Sequence, residues 1–200
     1  SNEKNVLCKA KGPITPRSDG ISGVVSAEVS FRVPIEQSRW WPRGYGKQTL
    51  HLLRTTVRGG GASEAVLATC EKFIGIRKLE LIRGKTGKGF CFVVNDIPIH
   101  AMGANWVPVD MFPGRITQAR TRQLLEMMAG ANMNCVRVWG GGGYASEYFY
   151  DAADELGLLV WQEMPFSCSC YPADTGFLSS VKDEVIHQVR RLASHSSLAL

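Results

Sequence analysis

From residue 90 onward, short apolar runs alternate with longer amphipathic segments, and this alternation restricts the possible folds more than any other feature of the chain. The apolar runs read as strands at Ile99–Trp106, Asn134–Trp139, Leu158–Glu163 and the start of a fourth at Ser197–Leu200. Strands that alternate with helices favour a parallel sheet covered by helices, either a doubly wound open sheet or a (β/α)8 (TIM) barrel. The turn Pro108–Ile116 (PVDMFPGRI) lacks the glycine fingerprint of dinucleotide-binding open sheets, so the barrel is favoured.

The segments between these strands carry helix signals. Thr117 can cap a helix through Ala129, with its apolar face at Leu124, Leu125 and Met128. Ser146 can cap a second helix, which Gly157 ends. A third helix is predicted over Phe177–Ala193, with an apolar stripe at Leu178, Val181, Val185, Val189 and Leu192.

The region before residue 90 has a different pattern, in which short β-rich runs are separated by Gly and Pro. The runs are Val24–Val33, Thr49–Val57, Ala65–Thr69 and Phe73–Ile82. Short strands at this spacing predict a small antiparallel β-sandwich. Phe90–Val94, the dipeptide Asn95-Asp96 and the run from Ile97 predict a β-hairpin. We therefore expect a sandwich over residues 1–88 and the first βα units of an incomplete barrel over residues 89–200.

Charge and composition argue against several classes of function. Much of the net charge of +5 lies in Arg77–Lys88, but interleaved aromatic residues are lacking, which favours a solvated loop over a nucleic-acid surface. No apolar run is long enough to span a bilayer, and the first residues lack the apolar core of a signal peptide. The six cysteines and four histidines lack the spacing of a metal site, so no metal, cofactor, membrane or nucleic-acid partner is expected.

The barrel prediction also indicates where a site would lie, because chemistry in such barrels occurs at the C-terminal ends of the strands. Those ends carry Asn105 and Trp106, then Arg137 and Trp139, then Gln162 and Glu163. Aromatic faces and planar polar groups are what a sugar-binding site needs. The alternative is that Trp106 and Trp139 belong to the core and that Arg137 forms a buried structural pair. Arg137 and Trp139 share strand parity, so both can face the barrel axis.

The glycine run Gly140–Gly143 allows two interpretations. A phosphate cradle before a helix is one of them. No Gly-Lys-Ser/Thr follows the run, which ends in Tyr144. A turn that lets the backbone leave Trp139 without steric conflict is therefore preferred.

Several strings in this chain resemble β-mannosidases of glycoside hydrolase family 2. In the second half they are GANWVPVDMF (103–112), ANMNCVRVWGGGGY (131–144), DELGLLVWQEMPFSC (154–168) and residues 171–200. Upstream, RWWPRGYGKQTL (39–50) and FIGIRKLEL (73–81) are similar to the immunoglobulin-like sandwich that precedes the catalytic barrel of that family. The RVWGGG string with its WQ-acidic partner is typical of the mannosidase branch.

The resemblance implies roles for the strand-end residues. Trp139 would line the mannose subsite, Arg137 and Glu163 would lie in the pocket, and Asn105 and Trp106 would lie on its rim. Two positions depart from the family pattern. Ala145 and Ser146 follow Tyr144 where the family commonly has an acid, and Glu163 stands where the family more often has Asp.

The resemblance also implies that the catalytic residues are elsewhere. Retaining glycosidases use two carboxylates, and in this family the acid/base Glu follows an Asn at the end of the fourth barrel strand. The expected positions of both carboxylates lie beyond Leu200, so no catalytic residue is assigned here. The implied partners are β-mannoside-containing glycans, and the implied compartment is the lysosome or another place of glycan breakdown.

Three alternatives to an exo-acting enzyme stay open from the sequence. One is another family 2 specificity, such as an endo-β-mannosidase. The others are a degenerate, non-catalytic homologue and a carbohydrate-binding module. The oligomeric state is not predicted.

Overall fold

A computed structural model describes residues 10–13, 29–30, 32–34, 38–59 and 65–200 of the chain. Contacts divide the chain into two units, Ser1–Ser38 and Arg39–Leu200. The described residues of the first unit form no helix or strand, and most of the predicted strand Val24–Val33 lies outside the described residues. Every element named below belongs to the second unit.

The second unit begins with an antiparallel hairpin. Strand β1 (His51–Arg58) pairs with β2 (Val66–Ile74), with His51 opposite Ile74 and Arg58 opposite Val66. The strands predicted at Thr49–Val57 and Ala65–Thr69 are thus confirmed, with shifted ends. The prediction of one continuous strand over Phe73–Ile82 is wrong, because strand β2 ends before Gly75 and the next strand begins only at Leu79. A Cβ at Gly75 would lie 2.4 Å from Ser196 Oγ, and the Gly75 N–H donates to that hydroxyl instead of to a strand.

A three-stranded antiparallel sheet follows, with β4 in the middle. It consists of β3 (Leu79–Ile82), β4 (Cys91–Val94) and β5 (Ile97–Ile99). The hairpin predicted at Asn95-Asp96 is confirmed, and both residues have the positive φ (50° and 71°) that a tight two-residue turn requires. This sheet takes strands from both sides of residue 88, and a domain boundary at that residue stays a prediction.

The basic segment Arg77–Lys88 is more structured than the predicted solvated loop. It contains β3, and the two cations that precede this strand have partners. Arg77 donates to the carbonyl oxygens of Ser196 and Leu198 at 2.6 and 2.5 Å. Lys78 forms ion pairs with Glu80 and Asp96. Two of the five cations of this segment therefore have partners within the chain, although the Lys78 side chain remains exposed.

The third sheet is parallel and in register. Its strands are β6 (Gly103–Trp106), β7 (Cys135–Val138) and β8 (Leu159–Gln162). Leu198 continues it through a parallel bridge to Val160, where a fourth strand was predicted to start. Three helices follow the strands: α1 (Gln118–Gly130), α2 (Glu147–Leu156) and α3 (Thr175–Leu192), with a short 3-10 helix at Pro113–Arg115 before α1.

The strand predicted over Ile99–Trp106 is interrupted at His100–Met102, which separates β5 from β6. The reason is the side chain of Asn134. Its Oδ1 accepts from the Met102 N–H at 2.8 Å and its Nδ2 donates to the His100 carbonyl at 3.0 Å. These backbone groups therefore have partners without a sheet neighbour.

The helix ends follow the sequence signals closely. Thr117 caps α1 by accepting from the Arg120 N–H, and Gly157 ends α2 in the left-handed conformation at φ 74°. Ser146 occupies the N-cap of α2 without a side-chain hydrogen bond. Helix α3 begins at Thr175, earlier than predicted, because the Asp174 carboxylate accepts from the Phe177 N–H at 2.9 Å.

Two apolar clusters lie on opposite faces of the parallel sheet. On the helix side, Val136, Val138 and Val160 pack with residues such as Phe149 and Leu125. On the other side, the buried members are Trp40, Phe92, Val94, Ile99, Cys135 and Leu159. Strand alternation produces this division, since neighbouring residues of one strand face opposite ways.

The stripe predicted for α3 is not buried as a whole. Only Leu192 is buried, while Leu178 and Val189 are 52% and 50% exposed. Val181 and Val185, in the middle of the stripe, are half-buried. No helix among the described residues is both long and apolar enough to cross a membrane.

Candidate functional site

A row of three side chains crosses the parallel sheet near its C-terminal edge. Asn105, Arg137 and Trp161 are register partners on β6, β7 and β8, and therefore project from the same face. Arg137 donates to Asn105 Oδ1 at 2.9 Å, and its guanidinium lies 5.9 Å from the centre of the Trp161 ring. Trp161 stacks in turn on Phe90 at 5.2 Å.

Trp161 was not predicted as a site residue. Trp161 and Arg137 project from the same face of the sheet because they are register partners. The alternation of side chains along each strand was visible in the sequence, but the register between the two strands was not.

Glu163 completes this group from the residue directly after β8. Arg137 donates to its Oε1 from Nε at 2.8 Å and also from a terminal nitrogen. The Gly140 N–H donates to the other oxygen, Oε2, at 2.9 Å. The Gly140 N–H, followed by Arg137, holds the pKa of Glu163 below its ordinary value, against the opposing effect of desolvation. Glu163 is therefore an anion at neutral pH.

The glycine run packs too tightly for any side chain at three of its positions. A Cβ at Gly140 would lie 2.3 Å from the Met164 carbonyl oxygen, and one at Gly141 would lie 2.0 Å from the Trp139 ring. A Cβ at Gly142 would lie 2.7 Å from Pro108. The Gly140 N–H is already bonded to a carboxylate, which disfavours a phosphate there. These contacts favour the turn interpretation.

The five sequence-predicted site residues do not all come together. Asn105, Arg137 and Glu163 form one hydrogen-bonded group, and Trp139 adjoins it at the end of β7, half-buried. Trp106 lies on the opposite face, where its ring packs against Phe149 at 5.0 Å. This is the core position that the sequence allowed as the alternative to a sugar contact. A sugar contact by Trp106 stays a prediction.

A second polar cluster, away from these strand ends, joins α2 to the residues before Leu198. His195 is buried, and its Nδ1 donates to Asp154 Oδ2 at 2.8 Å. The other oxygen of Asp154 accepts from the Ser197 N–H at 2.6 Å. Asp151 lies nearby, 3.9 Å from His195 Nδ1, and the three side chains are close enough to share a metal ion.

The hydrogen bonds of this cluster favour a structural role over metal binding. Both oxygens of Asp154 and the Nδ1 of His195 already have protein partners, and a metal would have to displace them. Sequence spacing missed the cluster because Asp154 and His195 are 41 residues apart.

Comparison with known proteins gives closely related sequences and structures. No protein-family model matches the chain. A β-mannosidase from Bos taurus is 42% identical over 160 residues, which is 80% of this chain and 18% of that protein. The crystal structure of a β-D-mannosidase from Dictyoglomus thermophilum superposes with a TM-score of 0.71 at 40% identity, over 80% of this chain and 20% of that chain.

A more distant structure supports the fold alone. An exo-chitosanase from Amycolatopsis orientalis superposes with a TM-score of 0.69 at 22% identity, over 80% of this chain and 19% of that chain. The chain spans about a fifth of the length of the relatives that it matches.

These matches place the chain among the glycoside hydrolases of family 2, whose members contain several domains. Within that group, it belongs with the β-mannosidases, to which most of its length is homologous.

Proposed function

We propose that this chain is part of an enzyme that cleaves terminal β-D-mannose residues from oligosaccharides or glycoproteins with retention of configuration. The observation that carries the proposal is the Arg137–Glu163 pair with Asn105 beside it, on a segment about 40% identical to β-mannosidases. We assign this group, with Trp139, to the mannose-binding pocket.

The chemistry of the group suits a sugar. Oε1 of Glu163 accepts two hydrogen bonds from Arg137, whereas Oε2 accepts one from Gly140. Each carboxylate oxygen has about two acceptor positions, so Oε2 retains one for a sugar hydroxyl. Because Glu163 is charged, that hydrogen bond would be charge-assisted and stronger than one between neutral groups. The half-buried ring of Trp139 would stack on the C–H face of the pyranose.

We propose further that the parallel strands β6, β7 and β8 are the first strands of a (β/α)8 barrel, and that residues 1–88 form an immunoglobulin-like sandwich. The parallel bridge from Val160 to Leu198 supports a fourth barrel strand. The antiparallel hairpin β1–β2 is consistent with a sandwich. Hydrolysis with retention requires a pair of carboxylates about 5–5.5 Å apart, and we assign neither member to this chain.

Two tryptophans provide a matched test in a full-length protein that contains residues 1–200. Trp139→Ala should lower kcat/KM for an aryl β-mannoside about tenfold to a hundredfold with little loss of stability. Loss of the stacking contact costs about 1–3 kcal/mol, by analogy with stacking of aromatic side chains on nucleic-acid bases. Trp106→Ala removes a ring that packs on Phe149. It should instead lower stability, by about 3–5 kcal/mol if the cavity does not close.

Kinetics and unfolding should be measured on both variants. An unchanged kcat/KM in Trp139→Ala would contradict the assignment of Trp139 to the mannose-binding pocket. A wild-type protein that binds mannose and hydrolyses no β-mannoside would favour a non-catalytic homologue, and release of mannose only from internal linkages would favour an endo-acting enzyme.

A further inference from the structure

A buried polar pair lies directly behind Glu163. Gln162, the last residue of β8, faces the helices and is 7% exposed, and Tyr150 on α2 is fully buried. The Tyr150 hydroxyl donates to Gln162 Oε1 at 2.6 Å. Gln162 Nε2 donates in turn to the backbone carbonyl of Glu163 at 2.7 Å. A chain of two hydrogen bonds thus runs from helix α2 to the backbone of a proposed site residue.

The Glu163 carbonyl, which can only accept, and the Tyr150 hydroxyl, which donates, together fix which way the Gln162 amide points. Burial raises the pKa of Tyr150 to about 12, so the hydroxyl keeps its proton at physiological pH and remains a donor. An amide that accepts on its oxygen from this donor must turn its nitrogen toward the Glu163 carbonyl. The opposite orientation would place two oxygens against each other at that carbonyl.

Gln162 donates to the backbone carbonyl of Glu163, the first residue after β8. The Glu163 N–H still donates to the Val138 carbonyl at 3.1 Å, but the Glu163 carbonyl accepts from a side chain. The chain then turns, and the Met164 carbonyl passes so close to Gly140 that a Cβ there would lie 2.3 Å from it. The same turn brings the Glu163 carboxylate to the Gly140 N–H.

We propose that Tyr150 and Gln162 are positioning residues for Glu163: by fixing its backbone carbonyl, they hold its carboxylate between Arg137 and Gly140. The effect on sugar binding rests on the proposed function, whereas the effect on the geometry of the carboxylate does not. Neither side chain is placed in contact with substrate.

The test uses Tyr150→Phe and Gln162→Met in a full-length protein that contains residues 1–200. Tyr150→Phe removes only the hydroxyl, and Gln162→Met keeps an unbranched side chain of similar length without the amide. Thr121→Val is the matched control, because Thr121 is equally buried and its hydroxyl has no partner among the described residues. All variants are checked for folding by circular dichroism, and Tyr150→Phe keeps the test usable if Gln162→Met does not fold.

Two quantities are measured. The first is the pKa of Glu163, by NMR of ¹³C-labelled glutamate carboxyl groups, with Glu163→Gln to assign the signal. The second is the Kd for mannose. We expect Tyr150→Phe and Gln162→Met to raise the Glu163 pKa toward its ordinary value and to weaken mannose binding about three- to tenfold. Thr121→Val should change neither.

The outcomes separate the two proposals. A raised Glu163 pKa in a protein that does not bind mannose would support positioning and contradict the proposed function. A variant of the pair that melts at lower temperature yet keeps both the Glu163 pKa and the mannose Kd of the wild type would overturn the positioning role, since the pair would then be structural only.

Discussion

Arg137 and Glu163, which are 26 residues apart in the sequence, are joined by two hydrogen bonds to a single carboxylate oxygen. The pair connects the end of β7 to the residue after β8, and Asn105 extends the connection to β6. Each charge has a partner at a half-buried position, where an unpaired charge would be costly. The ends of three neighbouring strands are therefore held together by polar side chains.

Replacement of Glu163 by Gln should change how stability depends on pH. The folded-state pKa of Glu163 is lowered, so its contribution is complete above the unfolded value of about 4.3–4.5 and is lost as the pH falls through the folded value. Glu163→Gln should be less stable than the wild type near pH 7, by about 1 kcal/mol, and the difference should shrink below about pH 4.5. Urea unfolding followed by tryptophan fluorescence at several pH values measures this.

Glu126→Gln serves as the control for this experiment. Glu126 forms an exposed ion pair with Arg122 on the surface of α1, and its loss should cost less than about 1 kcal/mol. A stability difference between wild type and Glu163→Gln that stays constant from pH 7 to pH 3 would show that the charge of Glu163 does not contribute as described.

Two glycines of one turn should respond differently to alanine. In Gly141→Ala the new Cβ would lie 2.0 Å from the Trp139 ring, so the ring must move. Displacement of a substrate-contacting group by about 1 Å can reduce activity up to about a hundredfold, and we expect kcat/KM for an aryl β-mannoside to fall at least tenfold. Gly143→Ala meets nothing within 4 Å and should stay within about twofold of the wild type. Equal kinetics for the two variants would contradict the assignment of Trp139 to the pocket.

Removal of the Asp154 carboxylate should destabilise the second unit strongly. Asp154→Ala leaves the buried His195 Nδ1 and the Ser197 N–H without their acceptor, at an expected cost of about 3–5 kcal/mol. Asp151→Asn changes the neighbouring, exposed carboxylate and should alter stability by less than about 0.5 kcal/mol. Hydrogen exchange of peptides covering residues 195–200 provides the readout, and unchanged protection there in Asp154→Ala would refute the structural role of the cluster.

The elements that the sequence predicted well are those determined by nearby residues. The turn at Asn95-Asp96, the cap at Thr117 and the helix end at Gly157 each depend on the conformational preference of one or two residues. The parallel order of β6, β7 and β8 follows from helices that are long enough to return the chain to the same edge of the sheet.

The errors arise where distant residues intervene. The strand predicted over Ile99–Trp106 is interrupted by the side chain of Asn134, which lies 32 residues after Met102 in the sequence. Ser196 lies 121 residues beyond the break at Gly75. Trp106 and Asn105 project from opposite faces of the sheet. Which of the two faces the helices depends on how β6 aligns with β7, and the residues of β6 alone do not determine that alignment. The sequence likewise placed Arg137 and Glu163 at neighbouring strand ends but did not show that they contact each other.

The position of Asp154 has a consequence for synthesis of the protein. Its backbone carbonyl accepts from the Trp40 indole, 114 residues earlier in the chain, and its side chain accepts from Ser197, 43 residues later. At ribosomal rates of about 5–20 residues per second, Trp40 is made on the order of 10 s before its partner. During that interval the indole N–H, which is fully buried in the folded protein, lacks its acceptor, and the last residues of the apolar cluster around the ring have not yet been made or are still unfolded. Until translation has passed Asp154, Trp40 is therefore expected to belong to an incompletely packed apolar surface, which favours aggregation of the nascent chain.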